Sequence, residues 1–180
     1  MDIRISLGRS VVKAVAYIWG IGGVLLLLGF AVYRLAPMAY ALSGLPLSPL
    51  HWFALVLTVA YMAYAEGYKG FHLAFAPRVI ARAHYLAQHP RAHHLLLAPL
   101  FCMCYFYTTR RRQLISIGLT CMVLGFVFIA RELPQPWRGI LDAGVVVGLG
   151  LGISSIVYFL VSALGQPDQS AALAEVPTEA

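Results

Sequence analysis

Charge is what this chain has least of. Acidic and basic residues make up 11% of its 180 residues against 61% apolar types, and the mean hydropathy is +0.78. That balance excludes an ordinary soluble domain. Long alternating stretches are missing as well, and without period-two patterning a membrane β-barrel is excluded, so the apolar runs read as helices. Cysteine is scarce. Cys102 and Cys104 stand two apart, on different faces of a helix, and therefore make no Cys-x-x-Cys redox pair; with Cys121 they read as buried free thiols. The formal charge of +6 comes from basic residues placed beside apolar runs and not from one soluble patch, which excludes nucleic acid and points to anionic lipid headgroups.

What is present is a set of runs that can cross a bilayer. The spacing predicts an all-α integral membrane protein, a single unit over 1–165 with spans at about 11–33, 50–68, 113–130 and 139–164. Positive residues, an apolar run and Ala39-Tyr40-Ala41 mimic a signal peptide, but the run is too long for one, and Arg34 intervenes, so an uncleaved anchor helix is expected. Residues 34–50 read as a Pro-rich connection ending in Ser48 as helix cap and Pro49 in the first turn. Region 69–112 reads as cytoplasmic, amphipathic and partly embedded, with Arg78, Arg82 and His84 beside Val79 and Ile80 on a helix lying along the membrane surface. The small, acidic tail 166–180 is expected to be disordered.

Residues 94–109 form a shorter run, either re-entrant or a fifth helix. If they dip and return, only Arg34, Arg131 and Arg138 lie outside, three of the thirteen basic residues. If they span, Arg34 lies outside together with Arg110, Arg111 and Arg112, four of the thirteen. Three adjacent arginines are costly to translocate, so four spans plus a partial one are expected, with the N-terminus cytoplasmic in a bacterial inner membrane.

Gly144, Gly148 and Gly152, four apart, predict a face for close helix packing, first against the chain's own helices. Glu66 and Lys69, three apart, fall on one helical face near the end of the second span, where an interfacial ion pair is expected. Tyr61, Tyr64 and Tyr68 add hydroxyls that could form a polar stripe toward the bundle interior. Glu66, Lys69 and Tyr68 are thus the candidate catalytic residues, charges near a membrane being functional candidates by default.

The run His84-Tyr-Leu-Ala-Gln-His89-Pro-Arg-Ala-His93-His94, with His72 further back, resembles the histidine boxes of membrane fatty-acid desaturases and hydroxylases. The resemblance covers about a dozen residues and implies a di-iron site, for which imidazole is a suitable ligand. The two boxes share His89, Pro90 breaks the helix between them, and no third box follows. His84, His89, His93 and His94 are therefore expected to sit at headgroup level beside Arg78, Arg82, Arg91, Arg110, Arg111 and Arg112, and to bind lipid phosphate. No cofactor is expected, and no histidine lies mid-span where a haem would need it.

These features predict a small accessory or assembly subunit without catalysis of its own, interacting with lipid, with another membrane protein or with itself. An enzyme working on a lipid-soluble substrate at a cytoplasmic site from Glu66 to His94, metal-dependent or not, is the second reading. A small transporter is the third.

Overall fold

The computed structural model describes residues 2–89 and 92–165, with side chains over 11–89 and 94–163. Every regular element in it is helical: α1 (Asp2–Tyr40), α2 (Pro49–Met62), a wide π-helix (Ala63–Phe75), α3 (Ala76–Gln88), α4 (Ala92–Leu96), α5 (Ala98–Cys102), α6 (Arg110–Glu132) and α7 (Trp137–Gly165). Three helical stretches are long and apolar enough to cross a membrane, Val11–Gly44, Arg110–Glu132 and Trp137–Ala163. The expected tail 166–180 and Arg91 lie outside the described residues, as does the side chain of His93.

Several expected boundaries move. The segment 34–50 is not an irregular connection, because α1 continues through Arg34 and Pro37 to Tyr40 before one tight turn, Ala41–Gly44. A proline costs a membrane helix one backbone bond and little else where neighbours or local adjustment absorb the freed carbonyl. Ser48 then caps α2: its side chain accepts from the His51 amide, the His51 ring accepts from the Ser48 amide, and Pro49 fills the first turn. At its 14 residues α2 is shorter than the expected span 50–68. The chain nevertheless goes on helically, with i→i+5 bonds to Phe75 and then as α3, so that Pro49 to Gln88 forms one rod.

Helix α7 lies between α1 and this rod. A Cβ on Gly139 would stand 2.8 Å from Leu42, and Cβ atoms on Gly144, Gly148 and Gly152 would meet Thr58, Glu66 and Phe71 in turn. The ascending order makes the rod parallel to α7. A parallel neighbour begins and ends on the same sides as α7 does.

The buried core does not lie between these long helices. It gathers at one end, where Ala16, Ile21 and Val24 of α1 meet Ala76, Val79, Ile80, Ala83 and Leu86 of α3, Phe101 and Cys102 of α5, and Ile156 of α7. Helix α3 was expected on the membrane surface. Its apolar face is instead covered by α1 and α5, because the rod carries it straight into the bundle.

Residues 94–109 do not make a fifth spanning helix. They form the end of α4, the five-residue α5 and an irregular return, and five residues of helix cover only about 7 Å. Two glycines of α1 admit this short helix: a Cβ on Gly23 would fall 2.2 Å from Pro99, and one on Gly20 would fall 3.0 Å from Cys102 Sγ. Either side chain would push α5 out of its seat.

Candidate functional site

Two clusters of polar residues result. The first is the seam between the rod and α7. Its ridge on the rod is Thr58, Met62, Glu66 and Phe71, spaced four, four and five, whereas the facing glycines of α7 step by four throughout. The five-residue step falls within the π-helix, whose i→i+5 bonding adds a residue to the turn and keeps the ridge over the groove.

Glu66 sits in this groove. Its Oε2 would be 2.9 Å from a Cβ on Gly148, and the carboxylate has no hydrogen-bond or ion-pair partner among the described residues. Gly148 is midway between Trp137 and Tyr158, the aromatic residues towards the two ends of α7. Glu66 is therefore not at the end of its helix pairing, as the sequence spacing implied, but opposite the middle of α7.

Lys69 is not its partner. In a wide helix residues five apart share a face, and Lys69 Nζ lies 4.9 Å over the ring of Tyr64. The expected inward polar stripe also turns out the other way, since Tyr61, Tyr64 and Tyr68 are 63%, 56% and 49% exposed. Tyr68 stacks between Tyr64 and His72, with centroids at 6.2 and 5.8 Å. Lys69 and Tyr68 thus both lie on Tyr64, while Glu66 faces Gly148 apart from them.

One turn further along the seam, His72 Nδ1 is 3.2 Å from Ser155 Oγ. Ser155 gives its own proton to the Leu151 carbonyl at 2.8 Å, so His72 is the donor and its Nδ1 carries hydrogen. Near the start of α7, Asp142 is buried, with Arg138 Nε 3.8 Å from its Oδ2. Sequence reasoning passed over Asp142, although the i,i+4 spacing to Arg138 was there to be read.

The second cluster is in the core at the far end. Arg82, expected among the lipid headgroups, is fully buried. Its Nε donates to the Phe101 carbonyl at 2.7 Å, Nη2 donates to those of Phe106 and Tyr107 at 3.0 Å each, and the guanidinium lies 4.2 Å over the Phe101 ring. Cys104 and Tyr107 adopt left-handed backbone, φ 64° and 51°, a conformation that costs a residue with a Cβ roughly 1–2 kcal/mol. The Arg82 fork ties the return segment in this shape by donating to the carbonyls of Phe106 and Tyr107 and by adding a donor to that of Phe101, which also accepts from the Cys104 amide at 3.1 Å. The arginine pattern read as a polar face because a single charge on an apolar helix gives no sign of whether carbonyls will gather round it.

The other basic candidates divide. Arg110 and Arg111 are exposed, Arg112 is half-buried, and half-buried Arg78 donates from Nε to the Ala74 carbonyl at 2.5 Å.

The described histidines do not converge. The Gln88 amide donates to His84 Nε2 at 2.8 Å, His89 stacks on Tyr85 at 4.6 Å, and His94 is buried among Phe101, Phe106 and Tyr107 at 5.1, 5.6 and 4.8 Å. Among the described residues no three His, Cys, Asp or Glu side chains are grouped as a metal would require. His94, expected at headgroup level, is 4% exposed.

Cys102 and Cys104 are buried, while Cys121 on α6 is exposed, contrary to expectation. Burial next to α1 pushes the Cys102 thiol up to about 12, against a smaller opposing pull from Arg82 and a slight push from Cys104. No family model, no curated protein and no solved structure matches this chain.

Proposed function

We propose that the chain is a four-crossing protein of a bacterial inner membrane and that it serves as a non-catalytic accessory or assembly subunit. The crossings are the apolar part of α1, the first half of the rod, α6 and α7. The rod supplies the fourth because it runs parallel to α7 along the seam. With the N-terminus inside, the arginine triplet, α3 and α5 lie on the cytoplasmic face, in keeping with the preference of basic residues for that side. Anionic lipid is the partner of the exposed Arg110 and Arg111 there.

The observation that carries the subunit reading is the packing of α6. Only 6% of its apolar window is buried inside the chain, against 33% for α7 and 28% for α1. A helix tied so loosely to its own chain has nearly its whole circumference available to another membrane protein. The polar groups, by contrast, are taken up in holding the fold: Arg82 by carbonyls, His72 by Ser155, Lys69 by Tyr64. A catalytic site running from Glu66 to His94 is the weaker reading, since Glu66 lies on Gly148 while His94 lies among Phe101, Phe106 and Tyr107.

Photo-crosslinking from Leu119 and Phe128, both on the exposed surface of α6, tests the reading in native membranes. A discrete protein adduct from either position is expected. Lipid adducts alone from both would refute it.

A further inference from the structure

Glu66 is the ionisable group in this molecule whose position is hardest to account for by the fold alone. In the four-crossing arrangement it faces the middle of α7 at Gly148. A charge at that depth is costly, and such residues are found where they meet an opposite charge or act on a ligand. Among the described residues it is offered neither. Lys69 is committed to Tyr64, His72 to Ser155, and Arg138 to Asp142. Glu66 itself has no polar partner among the described residues.

The seam leaves room for this carboxylate. Gly67 beside it and Gly148 opposite both lack a Cβ where one would strike a neighbour, Leu151 at 2.7 Å and Glu66 Oε2 at 2.9 Å. Four-residue steps from Thr58 through Met62 put Glu66 over Gly148, and the wide turn that follows carries the register on to Phe71. The side chain is half-buried and not sealed in.

We propose that Glu66 is the docking point for a partner membrane helix that carries a lysine or arginine near its middle, the two charges pairing alongside the rod–α7 seam. This rests on the reading of the chain as an assembly subunit, and it names the chemistry that selects the partner. Two helices that each carry a lone intramembrane charge gain from association twice, because each removes the other's unpaired charge from hydrocarbon. An apolar helix gains nothing at Glu66. The contact thus discriminates by charge as well as by shape.

The test uses the full chain in vesicles of phosphatidylethanolamine and phosphatidylglycerol, with synthetic membrane-spanning helices identical except for a central Lys, Arg or Leu. Energy transfer reads association. The Lys and Arg helices are expected to bind about tenfold or more tightly than the Leu helix. Glu66→Gln should reduce the preference to nothing, and Glu66→Asp should keep part of it; circular dichroism checks that both variants remain helical. Equal binding of the three helices overturns the proposal, as does a preference for the Lys and Arg helices that survives in Glu66→Gln. A protein adduct from α6 that forms equally well with Glu66→Gln would leave the subunit reading standing and remove this one. Charge-selective binding without any α6 adduct would do the reverse.

Discussion

Replacing glycines one at a time along α7 should give a graded series whose order the seam geometry fixes. A Cβ on Gly152 would stand 2.6, 2.7 and 2.9 Å from three ring atoms of Phe71, whose rigid ring must move as a whole. On Gly144 the nearest atoms are Thr58 Cγ2 at 2.8 Å, Met62 Cγ at 3.1 Å and the Thr58 carbonyl oxygen at 3.3 Å, and the last can yield only if the rod shifts. On Gly148 the closest atom is the carboxylate end of Glu66, which can swing aside. Gly150 has nothing within 4 Å. Overpacking of this kind costs roughly 1–3 kcal/mol, whereas alanine in place of glycine in a free helical position gains up to about 1 kcal/mol. Alanine should therefore destabilise most at Gly152, then at Gly144, then at Gly148, and should be neutral or stabilising at Gly150. Unfolding of the purified chain in mixed micelles, followed by tryptophan fluorescence, measures each step. Equal effects at Gly150 and Gly152 would refute the reasoning, because the seam would then not be a close contact.

Arg82→Met should leave the half-buried Phe106 and Tyr107 carbonyls without the guanidinium donor at a cost of about 1–3 kcal/mol, enough to loosen the return segment 103–109, and faster proteolysis there would report it. Arg82→Lys should recover little, since one ammonium cannot replace a planar fork that reaches three carbonyls while stacking on Phe101; wild-type protection in the lysine variant would contradict this. Cys102 should resist thiol reagents in the folded chain at neutral pH. Its folded value, about 12, lies above the ordinary 9.0, so unfolding releases a proton. Stability should therefore be unaffected by this group below pH 9 and should fall as pH rises from there toward 12; a denaturation midpoint insensitive to that rise in wild type, or an equal fall in Cys102→Ala, would argue against it.

What the sequence could convey followed from periodicity and length. The apolar runs in α1, α6 and α7 were readable as helices, and Ser48-Pro49 as a helix start, because caps and hydrophobic length are local properties. The seam was half legible. Gly144, Gly148 and Gly152 stand out at i+4 spacing, but their counterpart on the rod follows four, four, five, and no local signal announces a π-helix. Counting Glu66 and Lys69 at the α-helical period therefore put them on one face, when Lys69 turns to Tyr64 and Glu66 to Gly148. Arg82 and His94 were misplaced for a different reason. Their burial depends on α5 folding back beneath Gly20 and Gly23, a contact between segments some eighty residues apart in the chain. The joint between Arg138 and Asp142 was visible in the spacing and simply outweighed by the apolar run around it.

The four-crossing arrangement, with α5 and the arginine triplet on the same face as the N-terminus, bears most directly on everything proposed. Single cysteines at Arg111 and Gln135, in a chain without Cys102, Cys104 and Cys121, can be exposed to an impermeant maleimide in intact cells. Position 135, in the short link between α6 and α7, should be labelled, and position 111 should be labelled only after the membrane is opened. Labelling at position 111 in intact cells would contradict the account.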